Sequence, residues 1–225
     1  MMNQERLAKY TGSLLLLQLV GGIFLNFFLL QKLKFNLDLA EPSSITLVIG
    51  VATILALILS SINLIIAAIA KHILSKHSPI HTQLLVAVSV VAFTLTATEY
   101  ATLGEYVNFF IHMVEQGTQT LSAYEELMKF SLIRARDEIH YMTIAISSVS
   151  ILLFYSLLFR VCQIPKMLTG FAIFAGILQL VALSNTFFQG KVLMMIQLPL
   201  LITQILLPMY LFVNGFRVPD TNEED

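Results

Sequence analysis

The sequence predicts an all-α, polytopic integral membrane protein with six transmembrane helices. Of its 225 residues, 57% are hydrophobic and only 12% are charged, against about 25% charged in ordinary soluble domains. Runs free of Asp, Glu, Lys and Arg occupy 10–31, 42–70, 82–98, 139–159, 167–190 and 192–216, each near or above the ~17 to 25 residues that cross ~30 Å of hydrocarbon. Strict apolar/polar alternation of the outer-membrane barrel kind is missing, so the backbone must satisfy its own hydrogen bonds through helices. The expected organisation is one domain over 1–216, with spans at about 10–31, 44–70, 82–104, 136–160, 167–189 and 192–216, and an acidic tail at 217–225.

Helix one follows Arg6 and Lys9. It resembles a secretory signal, but it is long and has no convincing small-x-small cleavage site, so it reads as a retained span. Gly21 and Gly22 allow a neighbour to approach closely, and Gln18 and Asn26 should face protein rather than lipid. Pro42, Ser43 and Ser44 suit the start of helix two, whose Ser60, Ser61 and Asn63 can bond to backbone or to another helix. The segment 71–81 carries His72, His77 and His81. No Cys, Asp or Glu completes a coordination set there, so it reads as a solvated basic loop rather than a metal site.

Basic residues set the expected orientation. Arg6, Lys9, Lys71, Lys76, Arg160, Lys166 and Arg217 fall on one side, and Lys32, Lys34 and Lys191 in the short loops of the other, which places both termini in the cytoplasm of a cell inner (plasma) membrane. The third connection is long, and it reads as the protruding ends of helices three and four, an outer helical hairpin at about 104–135. Tyr106, Phe110 and Met113 recur at helical spacing opposite Glu105, Asn108, His112 and Glu115. On the return arm Ser122 and Glu125 form a capping box, and Glu125–Lys129 and Arg134–Glu138 are i,i+4 pairs.

With the turn near 117–120, positions of equal height on the two arms sum to about 238, because both helices rise ~1.5 Å per residue. Glu105 then faces Arg134, and Glu99 lies level with Ile139 and His140, one turn below Arg136. A charge in an apolar span costs on the order of 2.5 to 3.5 kcal/mol, so the Glu99, Arg136 and His140 cluster is the chemical feature of the chain. Arg136 is the expected first partner of Glu99 and His140 the second. The cluster reads either as an ion pair that pins the hairpin or as a site.

Helix five offers Ala172 and Gly176 for packing, with Gln179, Ser184 and Asn185 toward its outer end. Helix six carries Pro199 and Pro208, both expected to kink it, with Gln197, Thr203 and Gln204 serving the freed carbonyls or lining a cavity. The lone Cys162 reads as an inert thiol, with S-acylation the alternative. A net charge of −1 with no basic stripe argues against nucleic acid. No Gly-x-Ser-x-Gly, His-Glu-x-x-His or Walker pattern occurs, and Glu125-Glu126 lacks the arginine that a prenyl-protein protease start would carry, Phe130 standing there instead.

Several stretches carry a family resemblance. Ala135-Arg136-Asp137, Tyr155 through Arg160, Ile164-Pro165-Lys166-Met167-Leu168 with Gly170, Leu198-Pro199 and Asn214-Gly215-Phe216 resemble the family of six-helix bacterial membrane proteins known as domain of unknown function 4386, over nearly the whole chain. The resemblance implies the six-helix architecture and no particular activity. Where that family carries an arginine three residues before the helix-three glutamate, this chain has Thr96. Where it carries a glutamate five residues after the helix-six proline, this chain has Gln204. The joint loss of both charges implies that Thr96 and Gln204 lie near each other, since losing one alone would strand a buried charge.

The functional expectation is a bundle that binds membrane lipids, a small apolar or amphipathic ligand, or a partner. An intramembrane enzyme or small transporter using Glu99, Arg136 and His140 is the alternative, though no internal repeat or paired broken helices of the transporter kind appear. Neither cofactor nor metal is expected.

Overall fold

The chain is described by a computed structural model covering residues 4–31, 42–115, 122–162, 164–188 and 192–216. All regular elements in these residues are helical, and six helices are long and apolar enough to cross a membrane. The expected turn at 117–120 and the acidic tail at 217–225 lie outside the described residues.

Helix α1 spans Gln4–Phe24 and continues through one π-helical turn at Leu25–Leu29. The Asn26 amide donates to the Gly22 carbonyl at 2.9 Å, so it folds back on its own helix instead of facing a neighbour as expected. Gln18 does reach out, its Nε2 lying 3.5 Å from the Leu59 carbonyl of the next helix. A Cβ on Gly21 would sit 2.5 Å from Leu59 Cδ2, whereas one on Gly22 would meet nothing. Only the first glycine of the pair therefore serves close packing.

Helices α2 (Pro42–Leu74), α3 (Pro79–Glu115) and α4 (Ala123–Val161) are 33, 37 and 39 residues long. At ~1.5 Å per residue they measure roughly 50, 55 and 58 Å, against ~30 Å of hydrocarbon. The two arms thus outreach α2 by about 6 and 9 Å, one to two turns. Segment 71–81, expected as a solvated loop, is mostly helical. α2 runs to Leu74, a short turn follows, and α3 begins at Pro79, where a missing N–H costs nothing. The Ser122–Glu125 capping box forms as read from the sequence.

Helix α5 covers Lys166–Phe187, packing Ala172 and Gly176 inward. A Cβ on Gly176 would lie 2.7 Å from Leu152 Cδ1 of α4. The last span starts later than expected: a 3-10 turn at Met194–Gln197 precedes α6, Leu198–Asn214. Pro199 therefore sits in the first turn, where its lack of an N–H breaks no helical bond, and Pro208 is the proline inside the helix. Gly215, with φ of 74°, ends α6 in a conformation that L side chains rarely adopt.

Each helix packs against its neighbours in sequence, α6 closes back on α1, and α2 also touches α4. The ring is lined by small and aliphatic residues such as Ala8, Ala52, Leu74, Leu85, Leu157 and Leu207. Its outside carries Phe27, Leu47, Ile54, Phe174 and Ile202, all exposed. An apolar exterior of this extent suits lipid better than water.

Candidate functional site: the polar seam between helices three and four

Serine and threonine hydroxyls within these helices mostly bond back to carbonyls three or four residues earlier, the usual solution where water is absent. The α3–α4 seam departs from that pattern. Ser89 and Ser150 hydroxyls meet at 2.8 Å in the buried interior. Further along, His140 Nδ1 and Glu99 Oε1 lie 2.7 Å apart, a hydrogen bond in which the ring N–H donates to the carboxyl oxygen. Both pairs keep the predicted antiparallel register to within about one residue. At the Pro79 end of α3, Arg160 Nη1 lies 3.1 Å from His81 Nε2 and the Ser78 hydroxyl 3.0 Å from His81 Nδ1. Arginine can only donate. His81 therefore accepts at Nε2 and donates from Nδ1 to Ser78, which also offers its carbonyl to the Thr82 N–H.

Glu99 is the centre of the seam. Its side chain is 6% exposed and that of His140 28%, so the carboxylate is shut inside while the imidazole edges toward the surface. The His140 ring also tilts against Tyr141, with centroids 5.9 Å apart. Tyr100, itself buried, lies within the electrostatic reach of both Glu99 and Arg136.

The expected order of partners for Glu99 is reversed. Arg136 gives its Nη1 to Asp137 Oδ1 at 2.9 Å. Level with Glu99, His140 bonds it directly; Arg136, a turn higher, is held by the half-exposed carboxylate beside it in sequence. Arg136 Nε is buried and has no hydrogen-bond partner. The side chain is only 16% exposed, an environment in which an unmade bond from a charged donor is expensive.

The expected i,i+4 pair of Arg134 with Glu138 forms, Nε to Oε1 at 3.0 Å, so Arg134 is engaged on its own helix while Glu105, at the same level on α3, is exposed. Two other expected arrangements are corrected. Lys129 does not take Glu125, whose carboxylate accepts from both the N–H and the hydroxyl of Ser122 at 2.7 Å. Those bonds hold the Glu125 carboxyl below its ordinary range. Thr96 bonds the Ala92 carbonyl and, across the seam with α2, the Ser60 hydroxyl at 3.2 Å. Gln204 belongs to α6, which packs beside α1 and α5 rather than α3. The pairing of Thr96 with Gln204 is thus replaced by a hydroxyl pair with the adjacent helix. On α5 the Gln179 Oε1 is a second buried atom without a partner.

Sequence reasoning missed the Ser89–Ser150 pair, although it obeys the same height relation that brought Glu99 to His140. It also missed Asp137 as the partner of Arg136, a pairing that adjacency alone could have suggested. Among the described residues no group of His, Cys, Asp and Glu could hold a metal ion. Burial pushes the Cys162 thiol up to about 12, which disfavours its thiolate form. An entirely apolar groove of about 530 Å³ lies between α1 and α2, lined by Leu17, Gly21, Phe24, Val51, Ile54 and Ile58. Having no polar group, it can hold hydrocarbon and recognises nothing more specific.

Fold and seam together define a class: an all-helical chain whose six apolar helices suit a multi-pass membrane protein. No family model, no curated protein and no solved structure matches the chain.

Proposed function

We propose that the protein is a non-catalytic, multi-pass bundle of the plasma membrane that binds a small amphipathic ligand at the Arg136 end of the α3–α4 seam. The Glu99–His140 pair carries this reading. A buried carboxylate bonded to an imidazole of the adjacent helix is costly in a membrane and is retained chiefly where polar chemistry is needed. In the proposed orientation both termini are cytoplasmic, the ends of α3 and α4 form the outer hairpin, and the seam opens at the outer edge of the hydrocarbon. Kinship with the domain of unknown function 4386 family belongs to the same proposal and supplies no activity.

Orientation is tested by labelling Tyr124→Cys, an exposed position, in a Cys162→Ser background. An impermeant maleimide added to intact cells should label it, and labelling only after permeabilisation would invert the topology. Ligand binding is tested by native mass spectrometry of protein extracted in mild detergent. A retained amphiphile in the wild type that disappears in Glu99→Gln/His140→Gln is the expected outcome. A bare protein mass in both samples would contradict the proposal.

A further inference from the structure

Resting on that reading, we infer that the ligand's polar end is a neutral carbonyl oxygen, that of an acyl ester, which accepts a hydrogen bond from the unengaged edge of Arg136. The guanidinium has five N–H donors in a rigid fork. Asp137 occupies Nη1 at 2.9 Å, and the buried Nε has no partner. The seam therefore lacks an acceptor at Arg136.

Charge decides what kind of acceptor fits. Asp137 already offsets the guanidinium at 2.9 Å. An anionic headgroup would bring a second negative group to a single arginine in a medium of low dielectric, where like charges repel strongly. A neutral carbonyl meets the need of Nε without adding charge. A hydrogen bond from a charged donor to it is stronger than one between neutral groups.

Depth points the same way. Glu99 lies about 30 Å along α3 from Pro79, at ~1.5 Å per residue, which is the thickness of the hydrocarbon core. In the proposed orientation Arg136 stands a turn above it, at the level where hydrocarbon gives way to headgroups. Acyl chains of an ester bound there would run down the apolar exterior of the bundle.

The test uses the full-length protein in nanodiscs made from ether-linked phosphatidylcholine, so that the bulk lipid offers no ester carbonyl. Dioleoylglycerol, its dialkyl ether counterpart, oleate and acetate are the probes. Dioleoylglycerol should bind on the order of tenfold more tightly than the ether, as expected for one hydrogen bond from a charged donor. Arg136→Gln should erase that difference, and Arg136→Lys should restore part of it. Infrared spectra of dioleoylglycerol labelled with 13C at the carbonyl should show a lowered stretch with the wild type and not with Arg136→Gln. This readout requires only that the variant be folded, which its circular dichroism melt reports.

Equal binding of ester and ether would overturn the inference and leave ligand binding standing. Tighter binding of oleate than of dioleoylglycerol would overturn it in favour of charge recognition. Binding of acetate as tight as that of dioleoylglycerol would overturn the requirement for an amphiphile. If no probe binds, the proposed function falls along with the inference.

Discussion

The α3–α4 seam and the α1–α6 seam hold their helices together by different means. In the first, directional bonds between side chains join the helices at successive levels: Ser89 to Ser150, Glu99 to His140, and Arg160 to His81. The second rests on close approach. A Cβ on Gly12 would lie 2.7 Å from the Pro208 carbonyl oxygen and 3.1 Å from the Phe212 nitrogen. Thr11 next to it is fully buried and bonds only its own helix. Hydrocarbon supplies no hydrophobic drive between helices, so a membrane bundle must rely on packing and hydrogen bonds. A hydrogen-bonded seam fixes register through polar groups that can also bind something. A glycine seam fixes distance and leaves no chemistry over.

Breaking each seam should separate the two kinds of energy. The largest effect belongs to His140→Leu, which strands the Glu99 carboxylate and should cost about 3 to 5 kcal/mol in reversible SDS unfolding from mixed micelles. Glu99→Leu/His140→Leu should recover most of that loss, because it replaces the pair with apolar groups of similar bulk. A double variant as unstable as the single one would show that the damage lies in packing. Gly12→Ala comes next, at about 1 to 3 kcal/mol, since the obstructing atoms are backbone and cannot turn aside. Gly22→Ala, whose Cβ would meet nothing, is its control and should lie within about 0.5 kcal/mol of the wild type. Equal costs at both glycines would remove the close-approach account of the α1–α6 seam.

One level of the α3–α4 seam and the start of its return arm could be read from the sequence, because two local rules govern them. A constant rise per residue sets which positions share a level, and it brought Glu99 beside His140. The Ser122–Glu125 box fixed where the return arm starts, since a capping signal is spelled in four consecutive residues. Choice of partner was less legible. Arg136 is long enough to suggest a reach toward Glu99, but levels say nothing of the competing carboxylate of Asp137. The pairing of Thr96 with Gln204 failed for another reason. Periodicity shows that a helix has an inward face and is silent on which helix lies opposite, so the ring order that sets Ser60 against Thr96 was not available. Pro199 was misread because a proline kinks a helix only in its interior, and the start of α6 at Leu198 is not marked by a strong cap.

A double-mutant cycle on Glu99 tests most directly whether the seam is organised around the carboxylate–imidazole pair. Unfolding free energies are needed for Glu99→Gln, His140→Gln, Arg136→Gln and the two doubles containing Glu99→Gln, in one detergent and at one pH. A coupling above about 1.5 kcal/mol between Glu99 and His140, larger than the coupling between Glu99 and Arg136, is the predicted result. A larger coupling of Glu99 to Arg136 than to His140 would contradict it, and would return the guanidinium to the carboxylate and leave no free edge for a ligand.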